Sequence, residues 1–333
     1  MNSEFKYHAL LFLIICLISC SNDDDGSSTN PLPTPLPKTT IADWLEQHDE
    51  YDSLSLYLKK TGLYANLNGA GQYTLFATEN KYFDGPTTAF FFKSQTYGSV
   101  SQFPLETLKD GLAGNIIPKR IMSADFQHNT YYSSLSNSAP NDELISIYIR
   151  RDSNLLINGH YKILEQDIAL GNGVVHTIGG AIGPNSILDI IILDDRFSAL
   201  ESMINSRVEL ALFLEYIPGS VVNSPLTLFL PTDQAFQNYI DSDPNLNSVF
   251  DIDSLVLNDI LNNHIVDGFN IQSDEFNFGG TRLNSFYGGE LIPRGGNNNI
   301  QAISYKSSLA NIIEKDIQAK NGVIHVIDKI LWQ

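Results

Sequence analysis

The chain has 333 residues, with 38 acidic side chains against 20 basic ones and a formal net charge of −18. That balance excludes nucleic acid as a partner, because neutralising phosphates takes clustered Lys and Arg, and it opposes docking on anionic headgroups. A neutral or cationic ligand, a sugar, a protein or a divalent metal stays compatible.

In chain order, the first feature is an apolar run of ten residues, Ala9 to Ile18, behind a short polar start containing Lys6. Ten residues are too few to span a bilayer as a mature helix, and a run of that length at the N-terminus reads as a secretory signal, residues 1–19. Its exit, Leu17-Ile18-Ser19-Cys20, resembles a bacterial lipobox, in which the cysteine is lipidated and becomes the first residue. Cys20 is then an anchor. Cys16 lies in the removed segment, so the mature fold has neither thiol nor disulfide and depends on packing. The multiple acyl chains of such an anchor, at about 0.8 kcal/mol per buried methylene, hold far longer than a single myristoyl group. The acidic cluster Asp23-Asp24-Asp25 resembles the export signal of lipoproteins displayed on some Gram-negative cells, and Ser21 does not resemble the inner-membrane retention signal. As bare chemistry it is a solvated linker. The expected location is the outer membrane, lipid-anchored and exposed at the cell surface. Alternating prolines from Pro31 to Pro37 complete a tether over residues 20–38, in which polyproline II adds about 3.1 Å per residue.

Two folded copies follow. Ile41 to Leu58 and Ile187 to Leu214 carry apolar residues at three- and four-residue spacing, which predicts amphipathic helices. A short β-rich segment comes next, Thr74-Leu75-Phe76-Ala77-Thr78 in one copy and Thr227-Leu228-Phe229-Leu230-Pro231-Thr232 in the other. Helical patterns then lead to Leu112 to Ile117 and Leu261 to Val266. The back half of each copy turns to strands: Leu144 to Arg150 alternates with period two, and Leu155 to Leu164 carries Asn158-Gly159 where a tight hairpin needs positive φ. Each copy closes on the same words. Asp167-Ile168 and Asn172-Gly173-Val174-Val175-His176 recur 149 residues later as Asp316-Ile317 and Asn321-Gly322-Val323-Ile324-His325.

That repeat is too long for a solenoid unit, and a copy of this size buries about two thirds of its unfolded surface as its own core. Helices and strands in separate blocks predict two α+β domains, residues 39–184 and 185–333. Only Gly183-Pro184-Asn185 lies between them, which predicts a restricted relative orientation.

Thr-Leu-Phe-x-Pro-Thr-x-x-x-Phe (Thr227 to Phe236), Leu-x-x-His (Leu261, His264) and Asn-Gly-x-Ile-His-Val-Ile-Asp (Asn321 to Asp328) resemble the three hallmark segments of the fasciclin-like domain. The first copy is a degenerate version: Ala77-Thr78 lacks the proline and Asn115 stands where the second has His264, so an interaction using that histidine is in doubt there. The resemblance implies two tandem fasciclin-like domains, each a β-sandwich-like wedge with packed helices, in secreted or membrane-anchored adhesion proteins without enzymatic activity or cofactor. It also implies adhesion through Leu261 to Gly268 and Asn321 to Asp328, which makes His264, Asp267 and Asp328 candidate binding residues. The residues themselves carry a plainer reading. His176 and His325 lie between β-branched neighbours, as a buried imidazole bonded to backbone would, His264 follows the same argument, and the Asn-Gly pairs are turn formers.

Neither a Gly-x-Ser-x-Gly elbow nor a His-Glu-x-x-His or paired-Cys zinc motif is present. The oxygen-rich run Asp241 to Asn247 has Leu246 and Ile252 where a calcium loop needs Gly and Glu, so it reads as an exposed acidic turn. No catalytic, cofactor-binding or metal residue is assigned. The first copy is rich in aromatics at Phe90-Phe91-Phe92, Tyr97, Phe103 and Tyr131-Tyr132; exposed faces could stack on sugar rings or form a protein hot spot, so Tyr131 and Tyr132 join the candidates. The expected function is non-catalytic binding or adhesion to an extracellular protein or polysaccharide, with membrane contact through Cys20. The alternatives are an accessory glycan-capture lipoprotein of an outer-membrane uptake system and a hydrolase, which for a glycosidase would need two carboxylates about 5 to 9 Å apart in a cleft.

Overall fold

The computed structural model describes residues 37–83, 100–180, 182–205, 214, 225–286, 288–296, 299–303 and 308–331. The signal segment, Cys20, the tether as far as Leu36, Phe90 to Phe92 and Tyr97 lie outside these residues. The first copy starts at a capping box: Thr40 Oγ1 accepts from Asp43 N and the Asp43 carboxylate accepts from Thr40 N, opening helix α1 (Ile41–Glu46). The continuous helix expected to Leu58 is broken. Gln47 N and the His48 ring both turn back onto the Trp44 carbonyl, and a 3₁₀ turn, Asp49–Tyr51, leads into α2 (Asp52–Thr61), which stops at Gly62 with φ +80. Helices α3 (Tyr64–Asn68), α4 (Asn80–Phe83) and α5 (Leu105–Ala113) complete the described helical part.

The strands are β1 (Tyr73–Thr78), β2 (Ile116–Ile117), β3 (Thr130–Ser133), β4 (Ser146–Arg151), β5 (Leu155–Ile157), β6 (Tyr161–Leu170) and β7 (Gly173–Ile178), in the sheet order β2-β1-β7-β6-β5-β4-β3. Only β1 and β7 run parallel among them. The sheet curls until its ends nearly meet, where Leu135 N donates to Ile116 O at 2.8 Å. This nearly closed barrel explains the Thr-Leu-Phe word. Leu75 and Ala77 point to the helices, packing with Leu45, Leu58 and Leu112, while Phe76 points into the barrel against Ile117, Ile149 and Ile178. A strand buried on both faces reads as an unbroken apolar run.

The second copy repeats the plan with α6 (Ile187–Leu193), capped by Ser186 and Asp189, α7 (Ser198–Asn205), α8 (Asp233–Asp241) and α9 (Ser254–Asn263). Here Asp194 interrupts the expected long helix. Its backbone is extended, and its carboxylate accepts from Arg196 N and the Arg196 guanidinium. Strands β8 (Leu226–Pro231), β9 (Ile265–Asp267), β10 (Leu283–Asn284), β11 (Glu290–Arg294), β12 (Asn299–Ile303), β13 (Ser308–Ala319) and β14 (Gly322–Ile327) form a second sheet, ordered β10-β11-β12-β13-β14-β8-β9. Leu228 and Leu230 face the helices, and Phe229 fills the barrel with Leu291 and Ile300.

The two copies share a contact surface. Tyr131 of β3 packs against the second core and donates to Asp194 at 2.8 Å, Gln318 N of β13 donates to Ser146 Oγ at 3.0 Å, and Arg150 meets Asp195 at 3.0 Å. Asp194 is fully buried, so its pairing with Arg196 and Tyr131 is what lets the carboxylate sit there. Tyr131→Phe leaves Arg196 in place and is expected to cost about 1 kcal/mol in urea unfolding. In an Asp194→Asn background the same change should cost clearly less, as a double-mutant cycle would report.

Candidate binding surface

The histidines are internal. At His264, which ends α9, Nδ1–H donates to Ile260 O at 2.6 Å and Nε2 accepts from Leu331 N at 2.8 Å. Both ring nitrogens are used and the neutral tautomer is set by its partners. Burial is the cause that lowers its pKa, to about 4. His264 therefore offers no face to a partner, a correction to its place among the binding candidates. Its absence from the first copy is also no loss. Asn115 Nδ2 donates to Gly111 O at 2.8 Å and Oδ1 accepts from Ile182 N at 3.3 Å, at the positions matching Ile260 and Leu331. A carboxamide reproduces the imidazole's two internal bonds, so the fold of this copy keeps the tie without the histidine.

His176 and His325 act on the other side of the closing strand. Their Nδ1 atoms accept from Asp167 N and Asp316 N at 3.2 and 3.3 Å, and their Nε2–H groups donate to Ile121 O and Ile271 O at 3.0 and 2.9 Å. Burial holds both pKa values below the ordinary range. Asp167 and Asp316 sit at bulges with φ of 63 and 60, each carboxylate accepting from the backbone and hydroxyl of Ser123 or Ser273. Thr74 and Thr227 add a third repeated tie, each hydroxyl donating to one loop carbonyl and accepting from one loop N–H. Asn172 and Asn321 are more than turn formers. Their Oδ1 atoms accept from Ile41 N and Ile187 N, both at 2.8 Å, and their amides donate to Leu67 O and Leu214 O, clamping the opening helices to the closing strand.

The remaining candidates are largely occupied too. Asp328 is half-buried and accepts from both Asn311 N and Asn311 Nδ2 at 2.7 Å, pinning β13 to the end of β14. Asp267 is half-buried on β9 and paired across to Leu226. Tyr131 lies in the contact between copies with its ring 5.0 Å from Tyr148, and burial is the first cause that raises its phenol pKa well above the ordinary value. Tyr132 sets its ring edge on Phe126 at 5.5 Å, and Phe103 is buried. Neither tyrosine forms an open stacking platform. Among the described residues, no group of three or more His, Cys, Asp or Glu side chains is gathered as a metal would need.

What the motifs did not point to is the exposed apolar set. Phe250, Phe269, Phe278 and Phe286 are 68%, 61%, 88% and 46% accessible, and all four belong to the second copy. Among the described residues, the large apolar side chains that the first copy exposes, Leu56, Leu105, Leu144 and Leu164, are leucines. A comparison of the copies could have found this asymmetry, because Ser101 occupies the place of Phe250 when the two are counted back from Asn115 and His264.

Tandem α+β barrels, each nearly closed, with one parallel strand pair inside its sheet and helices on one side, define a two-domain module. The chain belongs to the fasciclin domain family, whose model matches residues 49–184 and 196–333. It is similar to the transforming growth factor-beta-induced protein ig-h3 of Sus scrofa, 27% identical over 291 residues that span 83% of this chain and 37% of that protein. It is also similar to periostin of Homo sapiens, 24% identical over 280 residues, 83% of this chain and 30% of that one. The chain thus spans 37% or less of the length of these curated relatives. A solved FAS1 domain pair from the insect cell adhesion molecule fasciclin I shares the fold, with a TM-score of 0.52 at 17% identity over 85% of this chain and 97% of that one.

Proposed function

We propose that the chain is a lipid-anchored protein of the outer membrane, displayed at the cell surface, that adheres to an extracellular protein without catalysis. Residues 1–19 are removed, Cys20 carries the lipid, and residues 20–38 hold the domain pair away from the membrane. The observation that carries the adhesive part is the distribution of side chains. The polar residues of the family words are mostly consumed in holding the fold, while the second copy exposes four phenylalanines, the residue class that anchors protein contacts. Membership of a family whose solved domain pairs include one from a cell adhesion molecule supports the same reading. Capture of glycans is less well served, since Tyr131 and Tyr132 are spent on internal packing.

Cells displaying the full chain should adhere to protein-coated surfaces, and polysaccharide-coated surfaces serve as the comparison. The Cys20→Ser protein should leave the membrane fraction and abolish adhesion. Retention of that variant in the membrane would overturn the anchor, and adhesion to polysaccharide alone would replace a protein partner with a glycan.

A further inference from the structure

Between α8 and the first turn of α9 the second copy makes a 3₁₀ turn, Val249–Asp251, held by Asp251 accepting from Asn247 N and Ser248 N at 2.8 and 2.9 Å. Asp253 then caps α9, accepting from Leu255 N at 2.8 Å. The turn is thus well built, yet it presents Phe250 and Leu255 to solvent at 68% and 73% exposure. The fold does not require apolar residues there. At the matching places the first copy has Ser101 and Glu106, while the buried residue between them is apolar in both copies, Phe103 and Ile252.

The surroundings give the partner's sign. Residues 208–281 contain neither Lys nor Arg, and among the described residues no cation pairs with Asp241, Asp243, Asp251, Asp253 or Asp259. Aspartates alone would be a solvated rim. Asp251 lies in the turn itself, Asp253 caps α9, and Asp259 stands one helical turn along α9 from Leu255. Beside the two exposed apolar side chains they select against acidic partners and favour a Lys- and Arg-bearing one, since like charges brought together at a contact are costly.

We propose that this turn of the second domain, with Phe250 and Leu255 at its centre, is a docking site for a cationic amphipathic segment of a protein partner. The proposal rests on the adhesion reading and specifies the chemistry of the partner. The apolar side of the segment would cover Phe250 and Leu255, and its basic residues would meet the aspartate rim.

The probe is a helical Leu/Lys peptide with one apolar and one basic face, titrated into the full chain in detergent at physiological salt and followed by fluorescence anisotropy. Saturable binding is expected, weakening as salt rises. The Phe250→Ser, Leu255→Glu double variant, which installs the residues of the sister copy, should bind at least about tenfold more weakly with an unchanged melting temperature. Should the double variant melt early, Phe250→Ser alone carries the comparison. Phe278→Ser, an exposed phenylalanine elsewhere, should change nothing, and a Leu/Glu peptide should not bind. Equal affinity for parent and Phe250 variants, an equal loss in Phe278→Ser, or no saturable binding overturns the proposal. Adhesion of cells displaying the parent separates the readings: adhesion without peptide binding overturns this site and leaves adhesion standing, whereas peptide binding without adhesion overturns the adhesive role alone.

Discussion

Gly322→Ala is expected to destabilise the second domain by about 3 kcal/mol or more, seen as a lower urea midpoint by far-UV circular dichroism. The reason is the parallel pairing of β14 with β8. A Cβ at position 322 would lie 2.1 Å from Leu226 O and 2.8 Å from Leu226 N, both backbone atoms of the neighbouring strand. No side chain can swing away to relieve that contact, so the strands must separate at the first rung of a ladder running from Gly322–Leu226 to Ile327–Pro231. The loss spreads to Asn321, one residue earlier, whose clamp on Ile187 N depends on the same backbone position. Gly173→Ala should do the same in the first domain, where the added carbon would meet Tyr73 O at 2.1 Å. The buried Trp44 lies in that domain and reports it by fluorescence. Gly279→Ala is the control. Nothing lies within 4 Å of its added carbon, so the urea midpoint should hold or rise slightly. A Gly322→Ala protein as stable as the Gly279→Ala protein would refute the close-approach argument.

The Asn-Gly words were legible as turns because their chemistry is local, and the repeat made the two-domain α+β plan legible with them. Their second role was not. Asn172 and Asn321 reach helices more than a hundred residues earlier in the chain, and no spacing rule links a strand-end asparagine to a distant helix N-terminus. The helical segments show the converse failure. Their periodicity is genuine, but Asp194 and the residues after Trp44 offer the backbone better local partners than the next helical turn does. The candidate site misled for a related reason. Words that identify the family are those the fold cannot do without, so most of their polar residues, His264 and Asp328 among them, end up bonded inside it. Phe250 carries no motif, and its exposure comes from the way Asp251 and Asp253 fold the chain under it. Tyr131 was undecidable from its own copy, because the group that receives its hydroxyl, Asp194, belongs to the other.

Acid should loosen the fold before any carboxylate titrates in its usual range, and His264 is the residue that makes this testable. Burial lowers its folded pKa from the ordinary 6.5 to about 4, and burial likewise lowers those of His176 and His325. The unfolded chain therefore takes up protons near pH 6.5 that the folded chain refuses. The stability these groups contribute is fully present above pH 6.5 and is lost as pH falls towards 4, with His264 alone accounting for about 2 kcal/mol at pH 5. The first copy shows how to remove the effect without removing the bonds, because Asn115 makes the same two contacts with a group that does not titrate. His264→Asn should cost about 1 kcal/mol at pH 7.5, for the smaller side chain in a packed site, and then lose about 2 kcal/mol less than the parent on going to pH 5. Its stability should meet or overtake the parent's in acid. His264→Ala would instead strand Ile260 O and Leu331 N, with a cost of about 3 kcal/mol or more already at neutral pH. Urea unfolding of the three proteins at the two pH values decides it: parallel losses in parent and His264→Asn would show that this imidazole is not what ties stability to pH.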